Sequence, residues 1–113
     1  YPWGNEWNPD NAVWSGNTPD ATNTDVVGSK PNGASWVGAY DMSGNVWEWV
    51  SSLYQDYPYA EDHESDTNTN SPRVLRGGGW VGNITGFLRS ANRSGLTPGL
   101  TDSGLGFRCA RLN

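Results

Sequence analysis

Tyr40-Asp41-Met42-Ser43-Gly44-Asn45-Val46-Trp47-Glu48-Trp49-Val50 is the stretch whose reading decides the fold. Asp41 to Asn45 holds Asp, Ser, Gly and Asn in succession, residues that bend a chain through backbone freedom or side-chain hydrogen bonds. From Val46 to Val50 the pattern changes to period two. Trp47 and Trp49 fall on one face, and Val46, Glu48 and Val50 on the other. Alternation of β-branched and aromatic residues predicts a strand. A turn feeding straight into a tryptophan-bearing strand is the organising feature.

Outward from it, Arg73-Val74-Leu75-Arg76-Gly77-Gly78-Gly79-Trp80 predicts a second short strand that runs into three glycines. Such a run suggests a bulge or the close approach of another backbone. Leu105 to Arg111 predicts a closing strand. Residues 8–34 are rich in Asn, Asp, Thr, Pro and Gly and read as loops, and residues 55–72 as an exposed acidic connection. Residues 81–105 are small, polar and glycine-rich, apart from Phe87-Leu88-Arg89-Ser90-Ala91. No internal repeat and no linker divides residues 1–113, which predicts one domain of the α+β, loop-rich class.

Composition fits that class. Leu, Ile, Val and Phe make up about 16% of the chain, low for a packed core. Seven Trp and five Tyr compensate, because aromatic rings bury the most area per residue. The expectation is a core built on indole rings. Gly and Pro together number 22 of 113 residues, which argues against a helix bundle. No stretch is apolar enough to span a membrane as a helix, and the chain opens without a charged-then-apolar leader. Its first residues, Tyr1-Pro2-Trp3-Gly4-Asn5, read as though they start within a fold.

The net charge of −5 is unevenly distributed. Residues 1–72 hold eleven acids and Lys30; residues 73–113 hold six Arg and Asp102. The Arg side chains, Arg89 and Arg93 among them, are expected to pair with carboxylates of the earlier segment. They are spaced singly and Lys is nearly absent, so they do not form a nucleic-acid footprint. His63 lies in the acidic loop with no nucleophile beside it. The one cysteine, Cys109, sits in the closing strand and reads as a buried small hydrophobe.

Five motifs occur in order: Tyr1 to Asn5; Val27-Gly28-Ser29 with Pro31-Asn32; Tyr40 to Trp49; Arg73 to Gly78; and Gly106-Phe107-Arg108-Cys109-Ala110. In these the chain resembles the formylglycine-generating enzyme family, also called the sulfatase-modifying-factor family. The resemblance implies a variant of the C-type lectin-like fold with short twisted antiparallel strands. It covers nearly the whole chain, yet the family's domain is about twice as long, so the N-terminal half is expected to be missing or supplied by another chain.

The resemblance also implies structural calcium. One set maps onto Asp41, Gly44, Val46 and Glu48, mixing carboxylates with turn carbonyls, as a hard cation needs. The alternative is that Asp41 caps a turn and Glu48 pairs with an Arg. A weaker set maps onto Asn11, Ala12, Asp20 and Thr22. Catalysis in the family uses two cysteines that bind copper, since a soft metal needs thiolates. Those positions fall on Gly82 and Phe87, so no copper and no oxidase chemistry are expected.

A second resemblance concerns residues 73–113. The variable proteins of diversity-generating retroelements share this fold, with a C-terminal variable region bounded by segments like Arg73 to Trp80, Leu88 to Arg93 and Gly106 to Arg108. Their adenine-directed mutagenesis cannot reach Lys, Glu, Gln, Met or Trp. Residues 81–105 contain none of these, although 14 occur in the chain. Chance would give such a gap about 4% of the time. The resemblance implies a non-catalytic domain that displays exchangeable side chains to protein or cell-surface ligands, at an extracellular, cell-surface or phage location. Candidate contacts are Val81, Gly82, Asn83, Ile84, Thr85, Gly86, Phe87, Ser94, Gly95, Leu96, Thr97, Gly99, Leu100, Thr101, Asp102, Ser103 and Leu105. A catalytic sulfatase modifier and a carbohydrate-binding lectin-like module are the alternatives. For the latter, Trp47, Trp49 and Trp80 lie in scaffold motifs and are better suited to packing than to stacking on sugars.

Overall fold

The computed structural model describes residues 1–18, 23–59, 70–81 and 84–110. Four strands form one small sheet: β1 (Trp47–Leu53), β2 (Arg73–Arg76), β3 (Ser94–Leu96) and β4 (Leu105–Gly106). Their spatial order is β3-β2-β1-β4. β2 runs antiparallel to both β1 and β3, whereas β4 lies parallel to β1, with Trp47 opposite Leu105 and Glu48 opposite Gly106. The sheet is therefore mixed, where the resemblance implied antiparallel pairing. The expected closing strand is two residues long and does not continue through the described residues 107–110. β3 was not foreseen, because Ser-Gly-Leu carries little strand propensity and is held there by pairing with β2. Among the described residues the helical elements are single 3-10 turns, at Pro9–Asn11, Pro31–Gly33 and Thr85–Leu88.

The turn at residues 41–45 ties these pieces together. Asp41, Gly44 and Asn45 all have positive φ, at 53°, 84° and 66°, a region that Gly enters freely and that Asp and Asn tolerate best among the rest. The Gly44 N–H donates to Gly77 O at 2.9 Å, and the Asn45 N–H donates to Val13 O at 2.9 Å. Asn45 O accepts the Trp80 N–H. The Asn45 amide brackets Asp25, accepting from its N–H and donating to its carbonyl. The Ser43 hydroxyl donates to Leu88 O at 2.6 Å. Ser43 and Asn45 are buried polar groups with their hydrogen bonds satisfied, as burial requires.

Among the described residues the buried apolar set is Ala12, Val13, Leu53, Val74, Leu75 and Leu88. The core centre is aliphatic, which corrects the expectation of an indole core. Trp47, Trp49 and Trp80 are only half-buried, and Trp36 is 93% exposed. In so small a chain few positions lie deep enough to enclose a whole indole. The rings instead cover one another: Tyr1 stacks on Trp3 with centroids 5.2 Å apart, and Trp7 meets Trp14 edge to face at 5.5 Å. Cys109, read as buried, is exposed.

The described end of the β1–β2 connection is clamped by Arg93. Its guanidinium lies 4.9 Å, 4.4 Å and 5.8 Å from the ring centroids of Tyr54, Tyr57 and Tyr59, and it donates to Gln55 O at 2.6 Å. Arg76 donates to the Tyr57 hydroxyl and to the carbonyls of Ser90, Ala91 and Asn92. Among the described residues the partners of Arg93 are three π-faces, the Gln55 carbonyl and the Tyr59 hydroxyl, and the expected carboxylates are not among them, while Arg89 is exposed. The rest of the acidic loop, including His63, lies outside the described residues.

Two predictions follow from this packing. A Cβ on Gly44 would sit 2.4 Å from Val13 O at a φ of +84°, so Gly44→Ala destabilises by about 3 kcal/mol or more, measured by denaturant unfolding. The Tyr57 phenol is lowered below its ordinary value of 10.0, first by the hydrogen bond from Tyr59 and also by Arg76 and Arg93; Tyr59 is raised, by burial and by Tyr57. A lowered acid stabilises the fold above its ordinary value, and that contribution is lost as pH falls through the lowered one. Following phenolate absorbance against pH should show one tyrosine ionising early, and Tyr59→Phe should move that step upward.

Candidate functional site

One face of the sheet carries Trp47, Trp49, Leu75, Leu96 and Leu105, since residues paired across strands share a face. Segments after β2 and after β3 rise around this face. Together they enclose a cavity of about 500 Å3, lined by Trp47, Gly79, Val81, Phe87, Leu96, Leu100, Thr101, Asp102, Gly104 and Leu105. That size lies in the range of ligand pockets. The Trp47 and Phe87 rings pack with centroids 6.1 Å apart, forming an aromatic wall. A smaller hollow of about 260 Å3 shares Trp47, Phe87, Leu96 and Leu105 and adds Ser94 and Asn92.

Backbone geometry places these side chains. Gly77 and Gly78 have φ of +88° and +71°, which turns the chain out of β2. A Cβ on Gly78 would lie 2.7 Å from Leu88 Cδ2 and 2.9 Å from Phe87 O, so glycine there lets the 3-10 turn at Thr85–Leu88 close down. That turn buries Leu88 and leaves Phe87 44% exposed at the cavity. On the other side the Asp102 carboxylate accepts the Gly104 N–H at 2.7 Å, and Asp102 O accepts the Leu105 N–H at 3.1 Å. This turn delivers Leu105 into β4, and the Trp47 N–H donates to Gly104 O at 2.8 Å.

Of the contact residues expected from sequence, Val81, Phe87, Leu96, Leu100, Thr101, Asp102 and Leu105 meet at this cavity, although 24 positions separate the first from the last. Ser94 reaches the adjoining hollow. Gly99 lies apart, in a shallow groove with Trp49, Arg73 and Pro98. Gly95 belongs to the opposite face, where a Cβ would lie 2.4 Å from Tyr54 Cγ. It packs against that ring and does not line the cavity. Ile84, Thr97 and Ser103 are exposed, and Thr85 and Gly86 are half-buried in the 3-10 turn, without lining the cavity. Gly82 and Asn83 lie outside the described residues. Trp47, Gly79 and Gly104 were not singled out, yet they form part of the lining. Trp47 gave a signal, because its alternation with Trp49 put both indoles on one face.

The first implied calcium set has a different geometry from a cation cage. Both oxygens of Glu48 accept from Arg108, with Nε at 2.6 Å from Oε2. The same guanidinium donates to Tyr40 O and Asp41 O, each at 3.0 Å. Asp41 Oδ2 accepts the Gly28 N–H at 2.7 Å. Gly44 and Val46 lie within the same turn region, buried and half-buried. A positive guanidinium on both Glu48 oxygens does not fit a divalent ion bound to them. In the second set Ala12 O accepts from the Asn17 amide at 2.9 Å and Asn11 is half-buried, while Asp20 and Thr22 lie outside the described residues. Among the described residues no three His, Cys, Asp or Glu side chains cluster as metal ligands would.

Comparison with known proteins bears on the family and the fold. The model of the sulfatase-modifying factor enzyme 1-like domain matches residues 1–113. The inactive C-alpha-formylglycine-generating enzyme 2 of Mus musculus is 37% identical over 97% of this chain and 36% of its own length. The formylglycine-generating enzyme of Streptomyces coelicolor is 34% identical over 97% of this chain and 40% of its own length. Among solved structures, Treponema denticola variable protein 1 superposes with a TM-score of 0.67 at 30% identity, covering 87% of this chain and 34% of that one. The chain thus spans between about a third and two fifths of these proteins, and the relatives include both an inactive protein and an enzyme. On sequence and fold together, this chain belongs to the sulfatase-modifying factor enzyme 1-like domain family, with a variable protein as a structural neighbour.

Proposed function

We propose that this domain is a non-catalytic display scaffold. It binds protein or cell-surface ligands through the cavity over β1, β3 and β4, with the side chains of residues 81–105 open to diversification. The observation that carries this reading is the convergence of seven of the expected contact residues on one apolar cavity. Val81, Phe87 and Leu100 are 58%, 44% and 53% exposed around it. Accessible apolar side chains with Thr101 and Asp102 at the same opening match the apolar centre and polar rim of protein interfaces. The chain's one cysteine is on the segment after β4 and does not line the cavity, which supports a role other than copper-thiolate oxidation. Exposed loop side chains also contribute little to folding, so their exchange is compatible with a constant scaffold.

The test has a genetic arm and a protein arm. A near-identical copy of the coding stretch for residues 81–105, beside a reverse-transcriptase gene, is expected in the source genome. A library varied at Val81, Phe87, Leu100, Thr101 and Asp102 should retain most of its members as folded protein, with melting temperatures within about 5 °C of the parent, equivalent to about 1 kcal/mol. Selection of that library on an immobilised test protein should yield binders whose affinity maps to those positions. General unfolding of the library, together with absence of the template copy, would falsify the display reading. Formylglycine formation by the chain on a sulfatase peptide with added copper would establish the enzymatic alternative.

A further inference from the structure

We infer that Arg108 is the resident cation of the 40–48 turn, its guanidinium standing where the family resemblance implies calcium. The two kinds of cation have the same need at this place. Calcium takes six to eight hard oxygens from carboxylates and carbonyls. A guanidinium offers five N–H donors in a rigid plane to the same kinds of atom. Arg108 serves four acceptors, the two carboxylate oxygens of Glu48 and the carbonyls of Tyr40 and Asp41. Glu48 and Asp41 are the two carboxylate residues of the implied calcium set. One Asp41 carboxylate oxygen is also occupied, since Oδ2 accepts the Gly28 N–H. Of the implied set that leaves Asp41 Oδ1 and the carbonyls of Gly44 and Val46, three oxygens against the six or more that calcium requires.

The electrostatics point the same way. The Glu48 side chain is 17% exposed and that of Arg108 38%, so the pair is partly withdrawn from water and more than an ordinary surface ion pair. A guanidinium keeps its positive charge within a protein. A divalent ion at the same oxygens would face that charge at contact distance. Arg108 also lies 60 residues from Glu48 in sequence, just past Gly106, which pairs with Glu48 across β1 and β4. The one side chain therefore fastens the turn, the start of β1 and the short parallel edge strand, without needing an ion from solution.

The experiment is a thermal melt in calcium and in chelator, with terbium as a luminescent stand-in for calcium sensitised by Trp47 and Trp49. Four proteins are compared: the parent, Glu48→Gln, Arg108→Ala and the double variant. The parent should melt at the same temperature in both buffers, within about 1 °C. Arg108→Ala in chelator should melt about 5–10 °C lower, with part of the loss restored by calcium and a new terbium signal; the double variant should lose both. If the parent melts lower in chelator and Glu48→Gln removes that dependence, an ion occupies this turn and the inference is wrong. If the dependence survives Glu48→Gln, the ion lies elsewhere and the inference stands. Should Arg108→Ala fail to fold, the parent and Glu48→Gln melts decide between the same outcomes.

Discussion

The backbone reversal at residues 41–45 is the constraint on which the rest of the structure depends. Three of its five residues have positive φ; its backbone N–H and C=O groups reach Val13, Gly77 and Trp80, and the Asn45 and Ser43 side chains reach Asp25 and Leu88. Val13, Asp25, Gly77, Trp80 and Leu88 are all held by hydrogen bonds from this turn. A chain with little helix and only 16 residues in named strands has few regular ladders to share its backbone hydrogen bonds. The turn takes over part of that work, because every buried peptide group must find a partner. β1 emerges from it already oriented, and β2 and β4 are then placed on either side.

Much of this was legible because it rests on local chemistry. The run Asp41 to Asn45 announced a turn by residue type, and Val46 to Val50 announced a strand by alternation. The three glycines after Arg76 announced a close approach, found where Gly78 meets Leu88. What failed to show was nonlocal. β3 is three residues without strand propensity, defined by its partner alone. The parallel placement of β4 depends on the turn at Asp102–Gly104, which the sequence marks only as polar. The depth of the core was misjudged for a related reason: tryptophan content reports how much area is available to bury, but position in the fold decides how much of each ring is enclosed.

The site divided along the same line. Residue type indicated a set of contact side chains, and most of its apolar members converge on one cavity, Ile84 excepted. Facing was not readable for a glycine: Gly95 sits in a strand between two cavity-facing neighbours, Ser94 and Leu96, and period two turns it to the opposite side. Strand assignment at Ser94–Leu96 would have been enough to exclude it. Gly79 and Gly104 escaped notice because they contribute floor rather than side chains. Trp47 was assigned to packing, and it does pack, but its half-burial leaves it in both roles. A ring that closes the core from above also supplies the base of the cavity.

The order β3-β2-β1-β4 has one more consequence. The cavity-lining segments after β2 reach the sheet as its two edge strands, while the ladder between β1 and β2 lies between them. An edge strand contributes hydrogen bonds along one side only, and β3 and β4 are three and two residues long. Under the proposed display role the two parts of the domain bear substitution unequally. Altering the central pair or the 41–45 turn disturbs every neighbour. The outer pair is held by its partners through the backbone, so exchange of its side chains leaves the ladder itself in place.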